Sequence, residues 1–313
     1  MTAVASRFHF ASAPDSWGVL DYPGPSWEQS YQKMLDEMVD AGYTGTELGP
    51  YGFFPTDQKI LKVELAKRHL RLLGSFVPVT LSDPASTKVV IEQVRKVGNL
   101  LATLGAPFLV LADAQSAERD QVAGRVPSDG SAGLNAAQWK QVAKVVADAA
   151  QVTAEYGLDL VFHPHISTYV ETPEETERFF DVTSSTKIGL CLDTGHCAYA
   201  GGDPVAESEK YRAILRFVHL KDVDNKVLAE VLHQKMNFEQ AVEAKTFTII
   251  GEGSIDFPAF FRVLAKNDYS GWMVVEQDVK FGATVVPPAQ SIAASLKYLQ
   301  GVVNQLVPAS VGP

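Results

Sequence analysis

The sequence lacks the features of a disulfide-stabilised, secreted or membrane-spanning protein. Its only two cysteines, Cys191 and Cys197, are too few for a disulfide framework and lack the CxxC spacing of metal ligands. No run of about 18 apolar residues is present that could cross a bilayer. The opening residues, MTAVASRFHF, contain no apolar core of a signal peptide. We therefore expect a cytoplasmic protein that has no membrane partner.

Basic residues are also scarce. Lys and Arg number 27 against 37 Asp and Glu, which gives a formal net charge of −10. A surface of this charge repels nucleic-acid phosphates, so we expect no nucleic-acid partner. Small neutral or cationic molecules suit this charge better. The sequence leaves open whether the chain forms a homo-oligomer.

Apolar runs typical of buried strands alternate with amphipathic, helix-like stretches along the chain. Eight runs predict strands: RFHFAS, TGTELG, RLLGSFVPV, PFLVLAD, LDLVFHPH, IGLCLD, FVHLKD and WMVVEQD. Helix start signals lie between them, with Ser26 and Gln29 resembling a capping box before the first helix, Asp83-Pro84 before the third, and Thr172-Pro173 before a later one.

Eight βα units without a low-complexity linker predict the α/β class, as a single (β/α)8 TIM-barrel domain over residues 1–313. A doubly wound sheet is the alternative, but neither GxGxxG nor GxxxxGK[ST] follows the first strand. Residues 115–135 and 223–255 form unusually long connections. Because long βα loops of a barrel lie over its mouth, we interpret both as candidate lids.

Ionisable side chains stand at the ends of the predicted strands, where TIM barrels place their catalytic groups. They are Glu47 after the second strand, His163 and His165 after the fifth, Asp193 and His196 after the sixth, His219 and Lys221 after the seventh, and Glu276 and Asp278 after the eighth. Converging carboxylates and imidazoles are costly unless a divalent cation neutralises them. Asp193, His219, Glu276 and one histidine of the HPH stretch form an oxygen and nitrogen ligand set that favours Mn²⁺, Mg²⁺ or Co²⁺.

Each of these residues also has a simpler structural interpretation. A lone histidine at a strand end is usually a satisfied polar residue, although four of the seven histidines fall at such positions. Lys221 could be an ordinary rim lysine, and Glu47 could only bond backbone amides. Trp17 in APDSWG either packs under the first loop or stacks on a sugar ring at the mouth.

An ordered set of motifs, APDSWG, GYTGTELGPYG, HPHISTYVETPEE, LCLDTGH, FVHLKD, GEGSIDF and VVEQD, carries a family resemblance. In these motifs the chain resembles the xylose isomerase-like TIM-barrel superfamily of sugar isomerases, epimerases and dehydratases, and within it most resembles the inosose dehydratases. The resemblance implies one divalent metal bound by Asp193, His219 and Glu276. Where most relatives have a glutamate as the fourth ligand, this chain has His163.

The resemblance also implies roles for the remaining residues. His165 occupies the position of a substrate-facing histidine, and His196 follows Asp193 at the DxxH spacing. A metal chelated by a ketone oxygen and its neighbouring hydroxyl acidifies the α C–H and stabilises an enediolate. We assign His165 and His196 as acid/base groups, Lys221 to the carbonyl or a hydroxyl, and Glu47 as a second proton shuttle or substrate anchor. Asp278 and Trp17 are expected to bind the substrate.

The predicted function is that of a divalent-metal-dependent lyase that removes water from 2-keto-myo-inositol or a related keto-sugar. A keto-sugar isomerase or epimerase shares the first step, and a lyase acting on 3-oxo-glycosides differs only in its leaving group. A DNA-repair endonuclease that cuts at abasic sites also occurs in the superfamily, but it needs a three-metal cluster and suits an acidic surface poorly. A non-catalytic binding barrel is the last alternative and predicts no bound metal.

Overall fold

The computed structural model describes residues 5–20, 27–282 and 286–306. In this part of the chain a nine-stranded sheet is accompanied by a two-stranded one. The strands in chain order are β1 (Phe8–Ser12), β2 (Gly45–Thr46), β3 (Arg71–Leu72), β4 (Phe76–Val79), β5 (Phe108–Asp113), β6 (Asp159–Phe162), β7 (Gly189–Asp193), β8 (Leu215–Leu220), β9 (Asp222–Val223), β10 (Phe247–Thr248) and β11 (Gly271–Val275).

The large sheet is parallel and has the order β3-β2-β1-β11-β8-β7-β6-β5-β4. Its two outer strands, β3 and β4, are the two halves of the predicted strand RLLGSFVPV. The residues between them bond on both sides, since Leu73 N–H donates to the Thr46 carbonyl and Phe108 N–H donates to the Leu73 carbonyl, both at 3.0 Å. The sheet therefore closes on itself, and the predicted α/β barrel is confirmed.

Several predicted strands end earlier than expected. β6 ends at Phe162 and β11 at Val275, so the HPH and EQD residues follow the strands. In both places the backbone hydrogen bonding of the sheet continues for one more residue. His163 N–H donates to the Leu111 carbonyl, and Glu276 N–H donates to the Leu220 carbonyl. The first polar residue after each strand is therefore still held in register.

The helices surround the sheet. In chain order they are α1 (Tyr31–Asp40), α2 (Gln58–Lys67), α3 (Thr87–Leu104), α4 (Ala117–Asp120), α5 (Ala136–Glu155), α6 (Pro173–Val182), α7 (Thr194–Tyr199), α8 (Pro204–Lys210), α9 (Asn225–His233), α10 (Phe238–Glu243), α11 (Phe257–Lys266) and α12 (Pro288–Asn304). Short 3₁₀ turns lie at Ala5–Arg7, Pro14–Trp17 and Pro84–Ser86.

Two predicted helix starts are confirmed. At α6 the Thr172 hydroxyl accepts from Glu175 N–H while the Glu175 carboxylate accepts from Thr172 N–H, with Pro173 in the first turn. Asp83 accepts a bond from Ala85 N–H and opens the 3₁₀ turn that leads into α3.

The first helix starts differently. Ser26, whose pairing with Gln29 suggested a capping box, lies outside the described residues. The helix α1 begins after Ser30, and the Ser30 hydroxyl accepts from Lys33 N–H. A serine cap is therefore present four residues after the predicted one.

In the described part of the chain, two apolar clusters form the barrel core, and a third lies mainly among residues of the two long connections. A large apolar cluster lies between the sheet and the helices, and a smaller one fills the barrel interior. The interior cluster includes Val110, Val161, Cys191, Phe217 and Val274, with the Phe108 and Phe217 rings stacked at 4.5 Å. Because side chains plug the barrel, a ligand can enter only at an end of it.

The two long connections carry structure of their own. Residues 115–135 contain α4, while residues 223–255 contain α9, α10 and β10, which pairs antiparallel with β9. Within the described ranges, the helices are either too short or too polar to traverse a lipid bilayer.

Candidate active site

A cavity of about 240 Å³ opens at the C-terminal ends of the barrel strands. Eight of the residues singled out in the sequence line it: Glu47, His163, His165, His196, His219, Lys221, Glu276 and Asp278. The ninth strand-end residue, Asp193, lies against the lining, with its Oδ2 atom 3.5 Å from His163 Nε2. The structure therefore brings all the predicted strand-end groups together.

Asp193 shows why the apolar strand β7 ends in an acid. Its Oδ1 atom accepts a 2.8 Å bond from His196 N–H and so caps α7, which begins directly after the strand. Its Oδ2 atom is buried and has no hydrogen-bond partner among the described residues. One oxygen is therefore structural, and the other faces the cluster of imidazoles.

Two overlapping groups of side chains have the geometry of a cation site. His163, Asp193 and His219 form one, and Glu47, His219 and Glu276 form the other, with the candidate ligand atoms of each group within 4.8 Å of one another. His163 Nδ1, Asp193 Oδ2 and His219 Nδ1 are buried without a hydrogen-bond partner in the described part of the chain. Buried nitrogen and oxygen atoms that lack a hydrogen bond fit the ligands of a divalent ion.

Lys221 is the cation at the centre of this acidic cluster. Its Nζ atom lies 3.0 Å from Asp278 Oδ2 and 3.4 Å from both Asp193 Oδ2 and Glu276 Oε2. Burial alone would lower the pKa of Lys221, but the charges of these three carboxylates raise it well above the usual value. The ammonium group is therefore charged, and only 2% of the side chain is exposed.

Close backbone packing holds Lys221 in place. Its N–H and C=O groups both bond the Thr194 hydroxyl, at 2.9 and 2.7 Å. The next residue, Gly195, lies so near that a Cβ there would be 2.7 Å from the Lys221 Cβ. The Thr-Gly pair in LCLDTGH is thus required by the approach of the neighbouring strand end.

Two of the carboxylates beside the imidazoles, Glu276 and Asp193, stay ionised. Burial would raise the pKa of Glu276, but the charges of His219 and Lys221 hold it at about 2. The charge of Lys221 likewise holds the pKa of Asp193 well below its usual value against the effect of burial. Both groups can therefore act as anionic ligands at neutral pH.

His165 and His196 form a pair of neutral imidazoles. Their ring centroids lie 3.9 Å apart. Burial, reinforced by His163, lowers the pKa of His165 to about 3, and burial together with His165 lowers that of His196 well below its usual value. His165 Nδ1 lies 2.7 Å from the Ile166 carbonyl, which must accept a proton from it and so leaves Nε2 as the acceptor.

One wall of the cavity is apolar. The centroid of the Phe76 ring lies 5.4 Å from that of His163 and 5.6 Å from that of His165. The centroid of the Phe238 ring lies 5.4 Å from that of His165 and 5.7 Å from that of His196. Pro78 and Leu20 extend this surface. Phe238 belongs to the long 223–255 connection, so that segment supplies part of the site.

The structure does not bring Trp17 to the cavity. Trp17 is 5% exposed, and its indole N–H donates a 2.6 Å hydrogen bond to Glu37 Oε2 on α1, so the residue packs under the first loop. Its neighbour Asp15 lines the cavity instead, with Oδ2 3.9 Å from Lys221 Nζ. Burial raises the pKa of Asp15 well above the usual value.

Sequence reasoning missed Asp15 and also Asp113, which ends β5 and lines the cavity. Asp113 could have been predicted as a site residue, because the run PFLVLAD ends in an acid, as the run IGLCLD does. Its carboxylate accepts from Leu81 and Tyr169 N–H groups, which is a structural use.

Comparison with known proteins places this geometry in context. The family model described as "Xylose isomerase-like TIM barrel" matches residues 35–302. An inosose dehydratase of Geobacillus kaustophilus (strain HTA426) is 30% identical over 310 residues, which cover 99% of each chain. The rhizopine catabolism protein MocC of Rhizobium meliloti is 35% identical over 265 residues, covering 85% of this chain and 80% of that protein.

A solved structure of the IOLI protein with a binding zinc atom shares the fold. It matches with a TM-score of 0.71 at 16% identity, covering 96% of this chain and 99% of that chain.

Proposed function

The chain belongs to the xylose isomerase-like TIM-barrel family, and from that premise we propose that it is a divalent-metal-dependent dehydratase acting on a keto-inositol or a related keto-sugar. At the coarser level it is a sugar-modifying enzyme, a lyase or an isomerase or epimerase. The observation that carries the finer proposal is the pair of neutral imidazoles, His165 and His196, 3.9 Å apart beside a cation-ligand group.

The proposed metal ligands are His163, Asp193, His219 and Glu276. Buried atoms of His163, Asp193 and His219 that lack a hydrogen bond support this assignment, and Glu276 Oε2 lies 3.2 Å from His219 Nδ1. Two imidazoles with two carboxylates suit Mn²⁺, Co²⁺ or Zn²⁺ better than Mg²⁺, which prefers an all-oxygen shell. When bound, the ion would draw electron density from a substrate ketone and its neighbouring hydroxyl and so acidify the α C–H.

The two imidazoles are proposed to move the protons. His165 Nε2 carries the free lone pair, so this atom takes the α proton. The C–H electron pair becomes the new C=C bond, and the β-hydroxyl leaves as water with the proton that His165 has taken, passed on through the adjacent His196 ring. Lys221 Nζ lies 3.2 Å from His196 Nε2 and 3.0 Å from Asp278, so it is placed to hold a substrate oxygen beside the proton donor.

The size and charge of the cavity suit a small, polar, neutral ring. Its volume of about 240 Å³ lies near the lower end of ligand-pocket sizes, roughly 300 Å³. Asp15 and Asp278 lie on the side of Lys221, where ring hydroxyls find acceptors.

A second candidate function is supported by the apolar wall. A ring that carries hydroxyls on every face leaves some of them unpaired against Phe76, Pro78 and Phe238. A 3-oxo-glycoside would instead set an apolar aglycone there, and the same α-proton removal would expel the aglycone. We rank this second, because the cavity is small.

Product analysis tests the proposal. Protein stripped with EDTA and reloaded separately with Mn²⁺, Co²⁺, Zn²⁺ or Mg²⁺ is incubated with 2-keto-myo-inositol and followed by mass spectrometry. We expect a product lighter by one water in the reloaded samples alone. An isomeric product would assign an epimerase or isomerase, and cleavage of an aryl 3-oxo-glucoside alone would assign the second candidate. No reaction of either substrate with any ion would contradict the proposal.

A further inference from the structure

His219 lies between two carboxylates that approach different nitrogens of its ring. Glu276 Oε2 is 3.2 Å from Nδ1, and Glu47 Oε1 is 3.4 Å from Nε2. The side chains of His219 and Glu47 are 1% and 2% exposed, so no bulk water competes for either nitrogen. The two acids must therefore play different parts towards the ring.

The Nε2 contact has hydrogen-bond geometry, whereas Nδ1 has no hydrogen-bond partner in the described part of the chain. Without a cation, burial lowers the pKa of His219, but Cys191 and the two carboxylates raise it well above its usual value, so both ring nitrogens are protonated. A bound cation would displace one of these protons and leave an imidazole with one N–H, and a carboxylate can only accept. A ring that donates Nε2–H to Glu47 presents the lone pair of Nδ1 on the side of Glu276. A cation on that side can be bound by both His219 Nδ1 and the Glu276 carboxylate.

The barrel is built to hold Glu47 in this position. The Glu47 N–H bonds the Ser12 carbonyl on β1, and the Thr46 hydroxyl donates to the Glu47 carbonyl. Opposite the carboxylate is Gly74, in the gap between β3 and β4. A Cβ there would lie 3.3 Å from Glu47 Oε1 and 3.0 Å from the Phe108 carbonyl oxygen, so this gap leaves room for the carboxylate.

We propose that Glu47 is a positioning residue that binds behind His219 and fixes its tautomer, so that Nδ1 is the atom offered to the metal. This inference rests on the proposed metal site and revises the expectation that Glu47 shuttles protons. The carboxylate also adds a negative charge beside a site whose His163 is neutral as a ligand. Partners of this kind change metal affinity about 10- to 100-fold when they are removed.

Co²⁺ binding separates the positioning role from direct ligation. Wild-type protein, Glu47→Ala, Glu47→Gln and His219→Ala are titrated with Co²⁺ against a chelator, and the visible absorption of bound Co²⁺ reports its ligand set. We expect Glu47→Ala to bind about 10- to 100-fold more weakly with an unchanged spectrum. Glu47→Gln keeps an acceptor oxygen of the same size and should lose less than about 10-fold.

Asp113→Asn is the matched control. It removes another buried carboxylate that lines the same cavity, but one that bonds backbone N–H groups of Leu81 and Tyr169. Its Co²⁺ affinity should stay within about twofold of the wild type. An unchanged affinity in Glu47→Ala would overturn the inference, and a changed spectrum in Glu47→Gln would make Glu47 a ligand and also overturn it.

The tautomer is measured in protein loaded with Zn²⁺, which is diamagnetic and leaves a bound imidazole with a single N–H. In protein labelled with ¹⁵N-histidine, the His219 signals are assigned by difference from His219→Gln. We expect protonation at Nε2 in the wild type and a mixture of tautomers in Glu47→Ala. Protonation at Nδ1 in the wild type would contradict the inference. Failure of the wild type to bind Co²⁺ would overturn the proposed metal site instead, so the two failures are distinguishable.

Discussion

At the residue scale, the most informative side chain is Asp193, because its two oxygens have different partners. Oδ1 caps α7 through His196 N–H, and Oδ2 faces His163 and Lys221. A carboxylate at the end of a strand can thus serve the fold and the site together. Sequence alone cannot separate these two uses.

Asp193→Asn is expected to separate them. Asparagine caps helices about as well as aspartate, so the unfolding free energy in EDTA should change little, whereas Asp193→Ala should lose about 1 kcal/mol. Both variants should bind Co²⁺ much more weakly, because the anionic Oδ2 is gone. Urea denaturation in EDTA and Co²⁺ titration make the two measurements. Wild-type Co²⁺ affinity in Asp193→Asn would show that Oδ2 is not a ligand.

The strand-end residues could be predicted from the sequence for a simple geometric reason. Polar groups that end apolar runs in a parallel barrel all meet at one edge. Asp15 was not predicted as a site residue, because it lies on the 3₁₀ turn after β1 and not at the end of a strand. Trp17 was expected at the substrate because the sequence does not say which side of that turn faces the cavity.

At the scale of elements, the loops after β5, β6 and β8 are joined at one carboxylate. Asp120 Oδ1 accepts a 2.8 Å bond from the Ser167 hydroxyl and a 2.9 Å bond from Phe238 N–H. Ser167 adopts a φ of 68°, which is unfavourable for a residue with a side chain. Asp120 therefore holds Phe238 against His165 and His196, and the interpretation of both long loops as lids stays a prediction.

Asp120→Ala should release this junction. Two donors lose their acceptor, so we expect a loss of about 1–3 kcal/mol in the unfolding free energy. Because the Phe238 wall is then free to move, KM should rise more than kcat falls. Asp129→Ala, in the same connection but exposed, is the control and should match the wild type. A normal KM with lowered stability would show that Asp120 serves the fold alone.

The pH dependence of stability tests the neighbouring segment. Burial raises the pKa of Glu171 from 4.5 to about 7. The folded protein then keeps a proton that the unfolded chain releases, so the contribution of Glu171 to stability falls as the pH rises from 4.5 to about 7.

Glu171→Gln cannot titrate and should remove this fall. Between pH 5 and pH 8 in EDTA, the wild type should lose about 2–3 kcal/mol relative to the variant, as measured by urea denaturation. The exposed Glu174→Gln variant should follow the wild type. Parallel pH profiles for the wild type and Glu171→Gln would refute the prediction.

The eight runs that form the barrel could be predicted from their alternation with helices, but the division of the third run into two strands, which makes the sheet nine-stranded, could not. The run RLLGSFVPV reads as one strand, yet it divides into β3 and β4 where the sheet closes. Closure depends on partners distant in sequence, Thr46 on one side and Phe108 on the other. The strand propensity of the residues in this run does not depend on such distant contacts and so cannot predict them.

At the scale of the whole molecule, one sheet runs from Phe8 to Val275 and α12 packs back on α1, β1 and β11. The first strand and the last helix therefore share a core, which supports the proposal of one domain. The proposed metal ligands lie on β7 and β8 or directly after β6 and β11 of that sheet, so ion binding and barrel stability should be linked.

Thermal unfolding tests this link. We expect one transition, whose midpoint rises by about 5 °C when free Co²⁺ is about 100-fold above its Kd, and falls back in EDTA. His163→Ala should reduce the shift, since it removes one proposed ligand. Two separate transitions would contradict the single-domain proposal, and a midpoint insensitive to Co²⁺ would contradict the metal site.

The central claim is that this barrel removes an α proton from a keto-cyclitol and then expels water. The most direct test is NMR of metal-loaded protein with 2-keto-myo-inositol in D₂O, beside His165→Ala, His196→Ala and an EDTA-stripped sample. The account predicts conversion to a dehydrated diketone in the loaded wild type, and at least about 100-fold slower turnover in both variants, which still bind metal. Deuterium incorporation without loss of water, or near-normal turnover in both variants, would contradict it.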